Sequence, residues 1–137
     1  MFANVNFIAM GLAIVASMII GAIWYSVLAK PWMAAAGFND EQIQKVNEGG
    51  KPSTYLFAIL SHIIMAYVLS GIIYHAGGFS LYGGVISALF CWVGFIVTTM
   101  TVTHRFQMRP WSLTAIDAGH FLCVMVAQGA ILGWFGV

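Results

Sequence analysis

Long apolar runs alternate with short polar stretches along this chain, and the pattern predicts four membrane-spanning helices. The runs cover about 5–29, 54–74, 81–103 and 111–135. Each is long enough to cross a bilayer as a helix, since about 20 apolar residues suffice. The turn between the second and third runs is so short that these helices must lie antiparallel. The predicted fold is therefore an all-α, four-transmembrane-helix bundle of two antiparallel hairpins, forming a single domain over 1–137.

Composition supports the membrane assignment. Of the 137 residues, 61% are hydrophobic and only 7% are charged, whereas about 25% are charged in a soluble domain. The net charge of +1 does not suggest a surface that binds a nucleic acid or an acidic substrate. Cys91 and Cys123 lie in apolar runs without metal-binding spacing, and are interpreted as reduced packing residues. No cofactor is predicted.

The first connection has the signature of a short amphipathic helix. Asn39 is a suitable N-cap, and Gln42 stands at the capping-box position three residues later. Glu41 and Lys45 are four residues apart and are expected to pair on one helix face. This helix either lies along the membrane surface or belongs to a solvated connector.

The basic residues predict the orientation. All five Lys and Arg residues fall in the first and third connections, and the other side of the membrane has none. The positive-inside rule then places both termini on the non-cytoplasmic side, in a membrane expected to be the bacterial inner membrane. The start of the chain has neither Lys nor Arg, so the first run is expected to be a retained helix and not a signal peptide. The predicted cytoplasmic-side anchors are Lys30, Trp32, Arg105, Arg109 and Trp111.

Polar residues in the spans predict a cluster in the cytoplasmic half. At about 1.5 Å per residue, Asp117 and His120 lie roughly 9 and 13 Å inside the fourth span, and His62 lies roughly 12 Å inside the second. Inside a membrane, Asp117 is expected to be either neutral or paired with His120, His62, or Arg105 or Arg109. Further candidates for the same site are Thr98, Thr101, Trp24, Tyr25 and Ser26.

This cluster is open to several interpretations. It is either a site that binds or passes a small solute or proton, or an interhelical hydrogen-bond clamp in a structural or accessory subunit of a larger membrane complex. Two His and one carboxylate could also bind a metal, but sequence does not constrain His62 to meet the other two, so no metal site is predicted. A membrane enzyme with His120 or His62 as base is the least supported alternative, since no nucleophile motif is present.

Small residues recur at spacings that favour close helix packing, and a homo-oligomer is expected. Such small-xxx-small patterns allow membrane helices to approach closely, within one chain or between copies. The predicted packing positions are Ala13, Ser17, Gly21, Gly119, Gly129 and Gly133.

Two stretches resemble a known family. The segment from Gly21 to Ser26, with Lys30, Trp32 and Gly37 following, is similar to the opening of the bacterial membrane proteins grouped as domain of unknown function 1761. The segment 116–120 resembles that family's fourth-helix motif. In that motif an Asn often stands in place of Asp117, and an aromatic residue lies between the Gly and the His that correspond to Gly119 and His120. The resemblance covers the whole chain and implies a four-helix fold, but no activity.

Overall fold

The computed structural model describes residues 5–136, which form six helices and no strands. Four of these helices are long and apolar enough to cross a membrane, which indicates an integral membrane protein. The helices are α1 (Phe7–Val27), α2 (Ala29–Ala36), α3 (Asp40–Asn47), α4 (Pro52–His75), α5 (Leu81–Phe106) and α6 (Trp111–Phe135).

One side of α1 shows how the chain meets its surroundings. Large apolar side chains recur every three or four residues on this side and are exposed, as at Ile8, Leu12 and Val15. The opposite side is buried against other helices and carries smaller residues such as Ala13 and Ser17. A water-soluble helix has the reverse arrangement, so the exposed stripe fits contact with lipid.

Helix α6 is the centre of the structure, and its most extensive contacts are with α1 and α5. It meets α5 through glycines: a Cβ on Gly84 would collide with the carbonyl oxygen of Gly129, and one on Gly133 with that of Ser80. The pairing of Ser80 with Gly133 and Gly84 with Gly129 shows that the two helices run in opposite directions. The predicted packing position Ala13 is also buried within the chain, so these small residues are used inside one copy.

The first span ends close to its predicted boundary, but a second, short helix follows it directly, which the sequence did not suggest. Helix α1 ends at Val27, and a separate helix, α2, follows from Ala29. Pro31 does not prevent this helix, because it lies in the first turn, where no backbone N–H is needed. Alanines then favour the helix, which ends at Gly37 with a φ of 71°.

The third span is longer than predicted and is not a uniform α-helix. It continues to Phe106, so that His104 and Arg105 belong to the helix and not to the connection. Within it, Trp92–Val97 is π-helical. π-Helical turns are rare and frequently occur at functional sites.

Helix α3 confirms the prediction for the first connection. The Asn39 side chain accepts a hydrogen bond from the backbone of Gln42, and the Gln42 side chain accepts one from the backbone of Asn39, at 2.9 Å each. Lys45 and Glu41 form the expected ion pair at 2.6 Å. These contacts are local, which is why sequence spacing was enough to predict them.

Candidate functional site

Two adjacent side chains of α1 attach it to α6. The Tyr25 hydroxyl donates a hydrogen bond to Asp117 Oδ1 at 2.8 Å, and the Trp24 indole donates one to the carbonyl oxygen of Ile116 at 3.0 Å. The Trp32 indole, supplied by α2, also lies close to the Asp117 carboxyl group. Asp117 therefore meets two aromatic donors from the chain's first two helices.

The other carboxyl oxygen of Asp117 faces α5. His104 Nε2 lies 4.0 Å from Asp117 Oδ2, and His104 Nδ1 lies 3.0 Å from the hydroxyl oxygen of Thr114. Arg105 Nη2 donates to the same hydroxyl oxygen at 2.9 Å. His104 was not among the predicted site residues, because the predicted third span stopped at 103; its helical spacing from Thr101 was the available signal.

His120 lies deeper in the structure than Asp117 and is only 5% exposed. Its ring centroid is 4.9 Å from that of Tyr25, and its Nε2 lies against Gly21, where an added Cβ would be 3.2 Å away. Neither of its ring nitrogens has a hydrogen-bond partner among the described residues. Any larger residue in place of Gly21 would therefore press on this imidazole.

A second buried imidazole comes from α4. His62 is 6% exposed and is close enough to His120 to interact with it electrostatically. Its Nδ1 also has no hydrogen-bond partner among residues 5–136. We call Tyr25, His62, Asp117 and His120 the polar cluster; it draws side chains from α1, α4 and α6, with His104 of α5 at its edge.

Three predicted members of the cluster do not join it. The hydroxyl groups of Ser26, Thr98 and Thr101 each donate to a carbonyl oxygen of their own helix, four residues earlier. Ser26 and Thr98 are exposed. The hydrogen bonds of these hydroxyl groups are thus made within their own helices, as is common for Ser and Thr.

The predicted partners of Asp117 are not those that the structure gives it. Arg109 donates to the carbonyl oxygen of Ala36 at 2.6 Å, and Arg105 is held by Thr114 and by the Trp111 ring, 3.8 Å away. Residues three apart on a helix differ by about 60° around its axis. This offset turns the carboxyl group toward Tyr25 and His104, while His120 faces Gly21 and His62.

The chemistry of the cluster is that of hydrogen bonding and proton transfer. No three His, Cys, Asp or Glu side chains in the described part of the chain are placed to share a metal ion. Carboxyl, phenol and imidazole groups are, however, the side chains that most readily exchange protons and bind small polar molecules.

The model of the family described as "Protein of unknown function (DUF1761)" matches residues 8–133. The chain belongs to this family. Its membership confirms the resemblance seen in the sequence, and the matched range includes every residue of the polar cluster. Neither a curated protein nor a solved structure matches this DUF1761 protein.

Proposed function

We propose that this DUF1761 protein is a small multi-pass membrane protein, and not an enzyme, that binds or passes a small solute or proton at the polar cluster. The observation that carries the proposal is the His120 imidazole, which is 5% exposed and has no hydrogen-bond partner on either nitrogen among residues 5–136. Within the same residues, the Nδ1 of His62, its neighbour on α4, has no partner either.

Unpartnered imidazole nitrogens are costly in a membrane interior. A neutral imidazole carries one donor and one acceptor, and each buried polar group left without a partner costs about 1–3 kcal/mol. A small polar solute that forms hydrogen bonds with both rings, or a proton shared between them, recovers this free energy. A tilted ring contact with Tyr25, at 4.9 Å between centroids, restricts the orientation of the His120 ring, so the site needs little rearrangement to bind.

The proposal includes the arrangement in the membrane. The four spans form one domain, a bundle of two antiparallel hairpins, with the polar cluster in the cytoplasmic half and both termini on the opposite side of a bacterial inner membrane. The antiparallel contacts of α5 with α6 support this arrangement. The asymmetric distribution of Lys and Arg supports the orientation.

Infrared difference spectroscopy of the protein in lipid bilayers tests the proposal. We expect the Asp117 carboxyl band and the imidazole bands to change within roughly pH 3 to 8, a range wide enough for both buried imidazoles and perturbed carboxyls. Asp117→Asn identifies the carboxyl band, and His120→Phe identifies the His120 ring while keeping its aromatic packing. His75→Gln is the matched control, because His75 is exposed at the far end of α4.

A structural role is the second candidate, and a different set of contacts favours it. Besides Trp24 and Tyr25, the Trp92 indole of α5 donates to the carbonyl oxygen of Ala118 at 2.8 Å. Side chains on both sides thus hold α6 in place, as expected if the protein is a structural or accessory subunit of a larger membrane complex. Bands from the cluster that remain constant across the pH range would refute the binding site and favour the clamp.

A further inference from the structure

Polar side chains form a continuous series from the basic end of the molecule to the polar cluster. We define the basic end as the side on which α5 ends at Phe106 and α6 begins at Trp111. The series is Arg105, Thr114, His104, Asp117 and Tyr25, in that spatial order. It crosses three helices, and only its His104–Asp117 step, at 4.0 Å, is longer than a hydrogen bond.

We propose that the species handled at the polar cluster is the proton, and that His104 delivers it to Asp117 from the basic end. This inference rests on the proposed function, and it adds both the species and the route. His104 is the donor because its two ring nitrogens lie near Thr114, at the start of α6, and near the Asp117 carboxyl group.

The contacts of Thr114 set the orientation of His104. Arg105 has only donors, so the Thr114 hydroxyl oxygen accepts from it at 2.9 Å. The same hydroxyl is then free to donate its own hydrogen to His104 Nδ1, 3.0 Å away. With Nδ1 as acceptor, the ring hydrogen lies on Nε2, the nitrogen that faces Asp117 Oδ2. Thr114 is therefore a positioning residue for this transfer.

The transfer begins when His104 takes a proton from water at the basic end on Nδ1 and becomes an imidazolium cation. Its Nε2 then gives its proton to Asp117 Oδ2, so that the carboxylate becomes a carboxylic acid and the imidazole is neutral again, with its hydrogen on Nδ1. The 4.0 Å gap exceeds a hydrogen bond by about 1 Å, which a small side-chain rotation closes.

The charged and titratable groups around Asp117 are few. Tyr25 faces it from α1 and His104 from α5. His120 lies one turn further along α6 and His62 beside it on α4. Arg105 is held by Thr114. The two titratable side chains nearest to this carboxyl group are therefore His104 and Tyr25.

Proton flux into vesicles tests the inference. The protein is reconstituted in vesicles of phosphatidylethanolamine and phosphatidylglycerol that contain a fluorescent pH indicator, and an external pH step is applied. We expect the wild type to exceed protein-free vesicles, and His104→Gln to slow the response by about tenfold or more. Free imidazole in the buffer should restore the rate in this variant, since it replaces the missing group. His75→Gln, at the opposite end, should keep the wild-type rate.

The possible outcomes distinguish failure of the proton route from failure of the proposed function. A wild-type rate in His104→Gln, together with loss of flux in His120→Phe, would overturn the route and leave the proposed function standing. A wild-type protein no faster than empty vesicles would overturn the inference, while the infrared titration still decides whether the cluster responds. If His104→Gln does not fold, Thr114→Val replaces it, with Thr114→Ser as its control, because serine keeps the hydroxyl. A wild-type rate in Thr114→Val would then count against the route.

Discussion

Gln128 illustrates how a single polar residue is accommodated among apolar helices. It is fully buried on α6, and its Nε2 donates to the Ser17 hydroxyl oxygen of α1 at 2.9 Å. Ser17 in turn donates to the carbonyl oxygen of Ala13 at 2.7 Å. The Gln128 Oε1 has no partner among the described residues. The contact therefore joins two helices but leaves one acceptor unpaired.

Ser17→Ala is predicted to lower the free energy of unfolding by about 1 kcal/mol, because Gln128 loses its acceptor inside the structure. Gln128→Leu should cost less, since it also removes the unpaired Oε1, while Ser17 keeps its bond to Ala13. Unfolding in mixed detergent micelles measures both values and the double variant. The explanation fails if Gln128→Leu is the more damaging of the two.

Asp117→Asn is predicted to keep the fold, because an Asn side-chain oxygen still accepts from the Tyr25 hydroxyl. Tyr25→Phe removes the donor instead and should cost about 1–3 kcal/mol of stability. Thermal unfolding in detergent compares the two variants. Unfolding of Asp117→Asn alone would show that a charged carboxylate is itself part of the structure.

At the residue scale, the sequence predicted depth better than direction. The constant rise of a helix was enough to place His62 and His120 at similar depths. Which way each side chain points depends on the rotation of every helix, and no local signal gives that. Thr98, predicted at a matching depth, is therefore exposed and bonded to its own helix, while His104 was left outside the predicted span because a basic stretch follows it.

At the scale of helices, the α5–α6 contact depends on the absence of side chains. Gly84 and Gly129 are so close that a Cβ on either would meet the other's carbonyl oxygen. Sequence spacing showed Gly129 and Gly133 as a packing pair. It did not identify their partners, Ser80 and Gly84, because the register between two helices is set by the whole contact.

Gly84→Ala is predicted to destabilise the protein by about 1–3 kcal/mol, the usual cost of overpacking, since the added methyl group meets backbone that cannot move aside easily. Gly11→Ala is the matched control: it is also helical, but no atom of the described residues lies within 4 Å of its added Cβ, apart from the neighbouring backbone of its own helix. Because Ala favours a helix over Gly by about 1 kcal/mol, the control should be neutral or slightly stabilised. Equal losses in both variants, in the same unfolding assay, would contradict this account.

At the scale of the whole molecule, two connections meet at the basic end. Arg109, from the third connection, donates to the carbonyl oxygen of Ala36 at the end of α2. A cation at a helix C-terminus is favourable, since the last carbonyl groups carry partial negative charge. The four spans could be predicted because hydropathy integrates over many residues. Helix α2 could not, because its short apolar run after Lys30 and Pro31 looks like the end of a span.

The proposed orientation predicts the location of the termini. Alkaline phosphatase fused after the last residue should be active in a bacterial host, because it folds outside the cytoplasm, and a green fluorescent protein at the same place should be dark. Fusions at Gly50, in the first connection, should give the opposite result. Reversed signals at both positions would show that the charge asymmetry does not set the orientation.

The π-helical segment Trp92–Val97 has a geometric consequence for the third span. Each α-helical residue turns the chain by about 100°, so an unbroken helix would put His104 about 200° from Gly84, on nearly the opposite side. The π turn takes up one more residue than an α turn, which brings His104 back by about 100°, toward α6. Deleting the exposed Gly94 should therefore give a regular α-helix in which Gly84 and His104 both still face α6. This span is thus expected to tolerate the loss of one residue while the same side chains remain in contact.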